Sequence, residues 1–258
     1  MLFTILTLFP EMFPGVLNSS ILGRAREKGL ARYRVVDIRE FGVGRHRVVD
    51  DAPFGGGPGM VMRPDVLNAA LAETRKVDGE EIPGRVIYLS PQGTPFSHAV
   101  AQRLAAEPHL VLLCGRYEGV DERFCQTMVD EEISLGDFVL TGGEIPAMAV
   151  IDAVTRLLPG VLGDQESAVA DSFVHGVLDH PHHTRPASWR DDQGREHAAP
   201  AVLLSGNHGE VAAWRRRQAL LRTLIRRPDL LAGAPLDKAE RRLLTALQRE
   251  LEQDGTDD

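Results

Sequence analysis

Residues 109–119, with the sequence HLVLLCGRYEG, decide the class of fold. The first part is a run of mostly apolar residues that predicts a strand, and the glycine-bearing turn GRYEG predicts where the strand ends. Two other segments repeat this pattern: RVIYLSPQG at 85–93 and DFVLTGGE at 137–144. The sequence therefore predicts three strands, each of which runs into a turn that carries glycine.

Further strands and helices alternate with these three segments along the chain. Apolar runs predict earlier strands at 3–9 and 34–39, and helical patterns predict helices at 64–76, 97–106 and 146–158. Such an alternation indicates a parallel α/β sheet flanked by helices.

The pattern changes in the last third of the chain. Periodicity fades after Val161, and an apolar stripe at helical spacing then predicts a helix that begins after Asn207 and contains residues 211–227. A further helix is predicted at 237–251. We therefore divide the chain into an α/β domain of residues 1–162, a linker of residues 163–178, and a small, mainly helical C-terminal domain of residues 179–258.

The charge is unevenly distributed. The formal net charge is −8, which by itself argues against a nucleic-acid ligand, but residues 211–227 contain six arginines and no acidic residue. The acidic residues that follow position 249 lower the net charge of the chain, but they lie outside this basic segment of the sequence. An acidic protein with one basic face can bind RNA through that face.

Composition excludes several classes of protein. The two cysteines, Cys114 and Cys125, do not match a zinc clip or a redox motif. The apolar N-terminus lacks a basic segment and is interrupted by prolines, and no run of about 18 apolar residues exists, so neither a signal peptide nor a membrane span is expected. We expect a cytoplasmic protein.

The three glycine-bearing turns are the first candidate site. Ligands of open α/β sheets bind beyond the carboxyl ends of the strands, and three such turns would offer main-chain groups to a flat heterocycle such as adenine. The alternative is that each is an ordinary tight turn. The loop FGGGPGM at 54–60 lacks the lysine of a phosphate-binding loop, which leaves a substrate-side loop or a plain connector.

Two charged residues have both a structural and a chemical interpretation. Arg156 stands four residues after Asp152, so the pair is either a helix salt bridge or leaves Arg156 to stabilise negative charge in a site. Asp171 is either a solvated or capping residue of the linker or a general base held between two domains. The helix at 146–158 is apolar on nearly all sides, which predicts burial and suggests a subunit interface.

The motifs, taken in order, resemble the bacterial tRNA (guanine-N1)-methyltransferase family. They are LSPQG (89–93), CGRYEGVDER (114–123), SLGDFVLTGGE (134–144), PGVLG (159–163), DSF (171–173), TRP (184–186), LLSGNH (203–208) and WRRRQ (214–218). The resemblance extends from about residue 1 to residue 231. The sequence departs from the family pattern at His183, where tyrosine is usual, and between residues 186 and 200, where this chain is longer.

The resemblance implies a SPOUT-class fold with a trefoil knot in the sheet, an exception to the rule that chains are unknotted. It implies S-adenosylmethionine as the methyl donor, tRNA as the substrate, a homodimer, Asp171 and Arg156 as catalytic residues, and magnesium dependence with Glu118 as a candidate ligand. The implied cofactor contacts are Tyr88, Leu89, Ser90, Pro91, Gln92, Gly93, Gly115, Tyr117, Leu135, Gly136, Asp137, Phe138, Val139, Leu140, Gly142, Gly143 and Pro146.

Two other functions compete with this interpretation. One is another knotted RNA methyltransferase that acts on a ribose hydroxyl or on ribosomal RNA. The other is a non-catalytic RNA-binding protein that uses only the arginine-rich helix. The histidines at 175, 180, 182 and 183 do not match the spacing of a zinc site and are interpreted as part of a solvated loop.

Overall fold

The computed structural model describes residues 1–77, 80–163 and 171–254. The chain divides into two compact units, Met1–Gly163 and Asp164–Asp258. Part of the predicted linker, residues 164–170, lies outside the described residues. Within the described part of the chain, no helix combines the length and apolar character needed to cross a membrane.

A five-stranded sheet forms the centre of the first unit, in the order β2-β1-β8-β7-β9. All four pairings are parallel, as the alternation of strands and helices predicts. Two short antiparallel pairs, β3 with β4 and β5 with β6, complete the strands of this unit. The strands are β1 Leu2–Thr7, β2 Arg32–Asp37, β3 Asp50–Asp51, β4 Val61–Met62, β5 Lys76–Val77, β6 Glu80–Glu81, β7 Arg85–Pro95, β8 His109–Cys114 and β9 Glu131–Ser134.

Helices cover both faces of the sheet. Alternate residues of each central strand enter two separate cores: Ile87, Leu110 and Leu112 face one of them, and Val86 and Val111 face the other. Burial on both faces explains the uninterrupted apolar runs from which the strands are predicted. The helices are α1 Pro14–Leu17, α2 Ser20–Glu27, α3 Pro64–Thr74, α4 His98–Ala105, α5 Glu122–Met128 and α6 Glu144–Thr155, with 3-10 turns at Pro10–Met12 and Ile38–Phe41.

Helix α6 is buried, as its apolar pattern predicts, but largely in the core of its own chain. Its apolar residues Ala147, Val150, Ile151 and Val154 are buried in the chain's own core beside the sheet, so the apolar character is largely explained within one subunit. Ile145 alone is clearly exposed among its large apolar side chains, at 53%. The helix by itself therefore no longer indicates a subunit interface.

The predicted strand at 137–140 is also wrong. These residues form an irregular segment, and the strand that pairs with β7 is the preceding Glu131–Ser134. The apolar side chains that suggested a strand are instead exposed, with Val139 at 84%. The charged β9 was missed because Glu131, which pairs with Arg85 and Arg103, interrupts the apolar pattern.

The second unit is mainly helical, as predicted. Its helices are α7 Ala201–Leu204, α8 His208–Arg226, α9 Pro228–Leu231 and α10 Lys238–Asp254. The buried side chains of Val177, Leu220, Leu236 and Leu247 form a small core of its own. The side chain of Asn207 accepts a hydrogen bond from the Glu210 amide, which confirms the predicted N-cap of α8.

The sequence did not predict a β-hairpin in this unit. Strand β10, Ser188–Arg190, pairs antiparallel with β11, Glu196–Ala198. The hairpin lies in the stretch that is longer than the family pattern.

Candidate active site

A bulge in β7 forms the first wall of the candidate site. Ile133 of β9 pairs with both Leu89 and Thr94, so residues 90–93 are looped out of the ladder. A side chain at Gly93 is excluded, because its Cβ would lie 2.4 Å from the backbone of Glu132. The strand was predicted to end at Leu89, but it continues beyond the bulge, a device that is common beside active sites.

The turn after β8 forms the second wall. Tyr117 and Gly119 both have positive φ angles, of 60° and 126°, so the backbone turns sharply here. A Cβ on Gly115 would lie 2.7 Å from the ring of Tyr88, which shows how closely the turn approaches β7. Burial raises the pKa of the Tyr88 hydroxyl to about 12, so Tyr88 is neutral at physiological pH.

The segment that follows β9 closes the site. It passes the ends of β7 and β8 before it enters α6, and the amide of Gly143 donates to the carbonyl of Gly115 over 2.9 Å. A Cβ on Gly143 would lie 2.6 Å from the Cα of Cys114, so only glycine fits at this crossing.

The three turns enclose one pocket of about 210 Å³. Most of the predicted cofactor residues line it: Tyr88, Leu89, Ser90, Pro91, Gly115, Tyr117, Leu135, Gly136, Phe138, Val139, Leu140, Gly142, Gly143 and Pro146. Gln92, Gly93 and Asp137 do not; Gly93 packs on β9, and Asp137 is exposed. Arg116, Gly119, Ile133, Ser134 and Thr141 line the pocket without having been predicted.

A buried ion pair fixes two of the turns to each other. The guanidinium of Arg116 lies 2.9 Å from the carboxylate of Glu144, which is 1% exposed, and donates to the carbonyl of Thr141 over 3.0 Å. The hydroxyl of Thr7 donates to the same carboxylate over 2.8 Å. The local sequence pattern does not indicate this pair, because its two residues become neighbours only after folding.

The glycine-rich loop of residues 54–60 packs against the turn after β8. The amide of Glu118 donates to the carbonyl of Met60 over 3.0 Å, and the amide of Met62 donates to Gly119 over 2.9 Å. A Cβ on Gly59 would overlap the side chain of Glu118. The loop therefore borders the pocket residue Glu118, and this position favours the substrate-side interpretation over a plain connector.

The two predicted catalytic residues lie in different units. Arg156 is the half-buried C-cap of α6 in the first unit. Asp171 is half-buried in the second unit, where the carbonyl of Asp171 accepts a hydrogen bond from the Val174 amide. Residues 172–175 form turns and residues 176–177 bends, so Asp171 does not cap a helix that follows it.

Neither cysteine has the environment of a nucleophile. Cys114 is fully buried at the end of β8, and burial raises the pKa of its thiol well above the ordinary value. Burial also raises the pKa of the Cys125 thiol, to about 12. Because the thiolate is the reactive form, both side chains act as core residues.

The histidine-rich segment of the second unit is a loop, as predicted, in which His175, His182 and His183 are exposed and His180 is half-buried. The carboxylate of Asp179 contacts a ring nitrogen of His180 at 2.6 Å and one of His182 at 2.8 Å. These three side chains have the ligand types of a metal site, but their separations are those of hydrogen bonds.

Two of the arginines on α8 are neutralised by α10. Arg216 lies 2.6 Å from Glu240, and Arg217 pairs with Glu250. Arg215 and Arg226 are exposed and have no ion pair with any residue of the described ranges. The basic surface of this helix is therefore narrower than the sequence indicates.

Comparison with known proteins agrees with this architecture. Residues 1–233 match the family model described as tRNA (Guanine-1)-methyltransferase TrmD. A tRNA (guanine-N(1)-)-methyltransferase of Magnetococcus marinus is 63% identical over 98% of each chain. One from Geotalea uraniireducens is 54% identical over 99% of this chain and 100% of its own. One from Neisseria meningitidis is 52% identical over 97% of this chain and 98% of its own. Together with the parallel sheet and its glycine-bearing turns, these matches show that the chain belongs to the tRNA (Guanine-1)-methyltransferase TrmD family, of the SPOUT class.

Proposed function

We propose that this protein transfers a methyl group from S-adenosylmethionine to N1 of the guanosine 3′ of the anticodon, position 37 of tRNA. The observation that carries the proposal is the pocket formed by the bulge of β7 and the carboxyl ends of β8 and β9, in a chain whose relatives are named tRNA (guanine-N(1)-)-methyltransferase. The pocket is lined largely by the backbone of three turns. Such a lining suits a flat purine that is recognised by main-chain hydrogen bonds.

The residues present fit the methyl donor. A Cβ on Gly115 would meet the ring of Tyr88, and a Cβ on Gly143 would meet the backbone of Cys114. Glycine at these two positions therefore lets the turns approach closely enough to hold a flat ring system. Phe138 and Leu140 offer apolar surface to the ligand at the pocket's outer wall. When bound, S-adenosylmethionine would supply a methyl group from its sulfonium, and the sulfur would leave as a neutral thioether.

The chemistry of guanine assigns roles to the two predicted catalytic residues. N1 of guanine carries a proton at neutral pH and is a poor nucleophile until that proton is removed. We assign the carboxylate of Asp171 as the base that accepts it and the guanidinium of Arg156 as the cation that stabilises the charge developing on O6. No covalent intermediate on the protein is required, which agrees with the inert environment of both cysteines.

We also propose that the reaction uses Mg²⁺ with Glu118 as its protein ligand. Among the described residues, Glu118 is the only carboxylate that lines the pocket. Glu144, which lies nearby in the chain after the pocket residue Gly143, is already paired with Arg116 and Thr7. One carboxylate is enough when substrate groups and water complete the octahedron, because Mg²⁺ retains several waters in most protein sites.

The active unit in this proposal is a homodimer in the cytoplasm. An apolar patch supports a second subunit: Phe138, Val139 and Ile145 are 55%, 84% and 53% exposed. Several large exposed apolar side chains in one segment beside a site favour an interface with another protein surface or a ligand. A second copy of the chain would cover the exposed apolar side chains that the cofactor does not contact.

The proposal is tested with two unmodified tRNA transcripts that differ only at position 37, one with guanosine and one with adenosine. We expect methyl incorporation from labelled S-adenosylmethionine into the first transcript only. Equal incorporation into both would favour a knotted methyltransferase with another target, such as a ribose hydroxyl. A protein that binds tRNA but shows no heat of binding with S-adenosylmethionine would be an RNA-binding module instead.

A further inference from the structure

The unpredicted hairpin of the second unit presents two stacked rings. Trp189 of β10 and His197 of β11 are cross-strand partners, with ring centroids 5.0 Å apart and planes inclined by 25°. Trp189 nevertheless remains 54% exposed, and the side chain of His197 remains 47% exposed. A tryptophan that is left so open on a short hairpin does not contribute to a core.

A half-buried carboxylate fixes this arrangement in advance. Asp191, whose side chain is 10% exposed, accepts from the ring of His197 at 3.0 Å and from Nε of Arg195 at 2.8 Å. It also accepts from the amides of Gln193 and Arg195, so it closes the turn of the hairpin. The hydrogen bonds from His197 and Arg195 lower the pKa of Asp191 to about 2. The rings are therefore held in place before any ligand arrives, which reduces the entropy lost on binding.

The two faces of the hairpin differ in character. Side chains alternate between faces along a strand, so Trp189 shares its face with Asp191, Arg195 and His197. On the opposite face Ser188 donates to Glu196 at 2.7 Å. The aromatic face thus carries the stacked rings, and its one carboxylate, Asp191, is paired with Arg195 of the same face.

A cleft of about 480 Å³ borders the stacked pair. Its walls come from the segment His182–Pro186 and from Trp189, His197 and the two alanines that follow. Arg185 is exposed in this wall and makes no ion pair within the described ranges. The volume falls in the range of small-ligand pockets, roughly 300–1,000 Å³, and admits a nucleobase.

We propose that this aromatic face and its cleft form a second RNA-binding site, which stacks one unpaired base of the tRNA on Trp189 while Arg185 contacts an adjoining phosphate. Stacking on an aromatic ring binds bases without hydrogen-bond readout, and nearby arginines supply the phosphate contacts. The choice of tRNA as the RNA rests on the proposed function. Its residues belong to the second unit, whereas the first unit forms the pocket at the strand ends, and the site adds affinity rather than chemistry.

The direct test uses Trp189 as its own probe. The chain has two tryptophans, so a Trp214→Phe variant leaves Trp189 as the only one. We expect unmodified tRNA to quench its fluorescence in a saturable way, whereas heparin, which has the charge but no bases, should not. Equal quenching by heparin, or none by tRNA, would overturn the proposal.

Substitutions provide a second test that does not depend on fluorescence. Trp189→Ala should weaken tRNA binding about 5- to 150-fold, the range of base–aromatic stacking, and raise KM without lowering kcat. Trp189→Phe should stay close to wild type, as should Ser188→Ala on the opposite face. Unchanged tRNA binding in Trp189→Ala would contradict the proposal, even if the hairpin then proved to bind a protein. Direct binding of labelled tRNA keeps the test decisive if methyl transfer itself, and hence the proposed function, fails.

Discussion

At the scale of single residues, Asp171 carries the chemical part of the proposal. Asp171→Asn should reduce methyl transfer by about 100- to 10,000-fold, because an amide keeps the shape but cannot accept the N1 proton. Binding of S-adenosylmethionine, measured by calorimetry, should be unchanged. Asp192→Asn, on an exposed carboxylate of the same unit, is the matched control and should retain full activity.

The contrary result would be equally informative. Full activity in Asp171→Asn would remove this residue from the mechanism and leave the base unassigned. Asp171 would then not be explained as a helix N-cap either, because the residues directly after it form turns and not a helix.

Gly143 tests the shape of the pocket without touching any catalytic group. In Gly143→Ala the added Cβ would lie 2.6 Å from the Cα of Cys114, and the crossing segment would have to move away from the turn after β8. We expect weaker binding of S-adenosylmethionine and a lower melting temperature, since overpacking costs about 1–3 kcal/mol. Gly15→Ala has open space around its Cβ and should change neither quantity. Wild-type cofactor affinity in Gly143→Ala would show that the crossing does not shape the site.

At the scale of elements, helix α8 separates arginines that are available to RNA from those that are not. Arg215→Gln should weaken tRNA binding and reduce the slope of log K against log salt by roughly 0.7–0.9, the amount expected for one lost phosphate contact. Arg216→Gln should leave the slope unchanged, because Glu240 already neutralises this side chain at 2.6 Å. Equal slopes for wild type and Arg215→Gln would place the RNA contact elsewhere.

The elements also show how far the sequence predicts the fold. Strands β1, β7 and β8 are buried on both faces, so their apolar runs are visible in the sequence, and Asn207 and Ser97 mark true helix starts. Strand β9 lies at the sheet edge and carries Glu131, whose two arginine partners become adjacent only after folding. Local periodicity does not contain that information.

The candidate site divides in the same way. The glycines of the three turns are visible in the sequence because close backbone approach requires them. The ion pair of Arg116 with Glu144 joins residues that stand far apart in the chain, and the stacking of Trp189 on His197 depends on the register of a hairpin. Both are tertiary features, and both were missed.

At the scale of the whole molecule, the patch of Phe138, Val139 and Ile145 leads us to expect a dimer. Sedimentation at micromolar concentration should give the mass of two chains, and Ile145→Glu should shift the protein towards the monomer by placing a charge in the apolar contact. Glu11→Gln, at another exposed position, is the control. A wild-type monomer would contradict the expected assembly.

A dimer whose sites are shared has a further consequence. If Asp171 and Arg156 of one site come from different chains, a mixture of Asp171→Ala and Arg156→Ala subunits should regain activity that neither variant has alone. Mixed dimers without any recovery would show that both residues act from the same chain.

The central claim, methylation of one nitrogen of one base, is tested most directly by mapping the product. Unmodified tRNA transcript is incubated with the wild-type protein and methyl-labelled S-adenosylmethionine, digested, and analysed by mass spectrometry. We expect 1-methylguanosine at position 37 and no other labelled nucleoside. A methyl group on a ribose, on another base or at another guanosine, or no transfer at all, would contradict it.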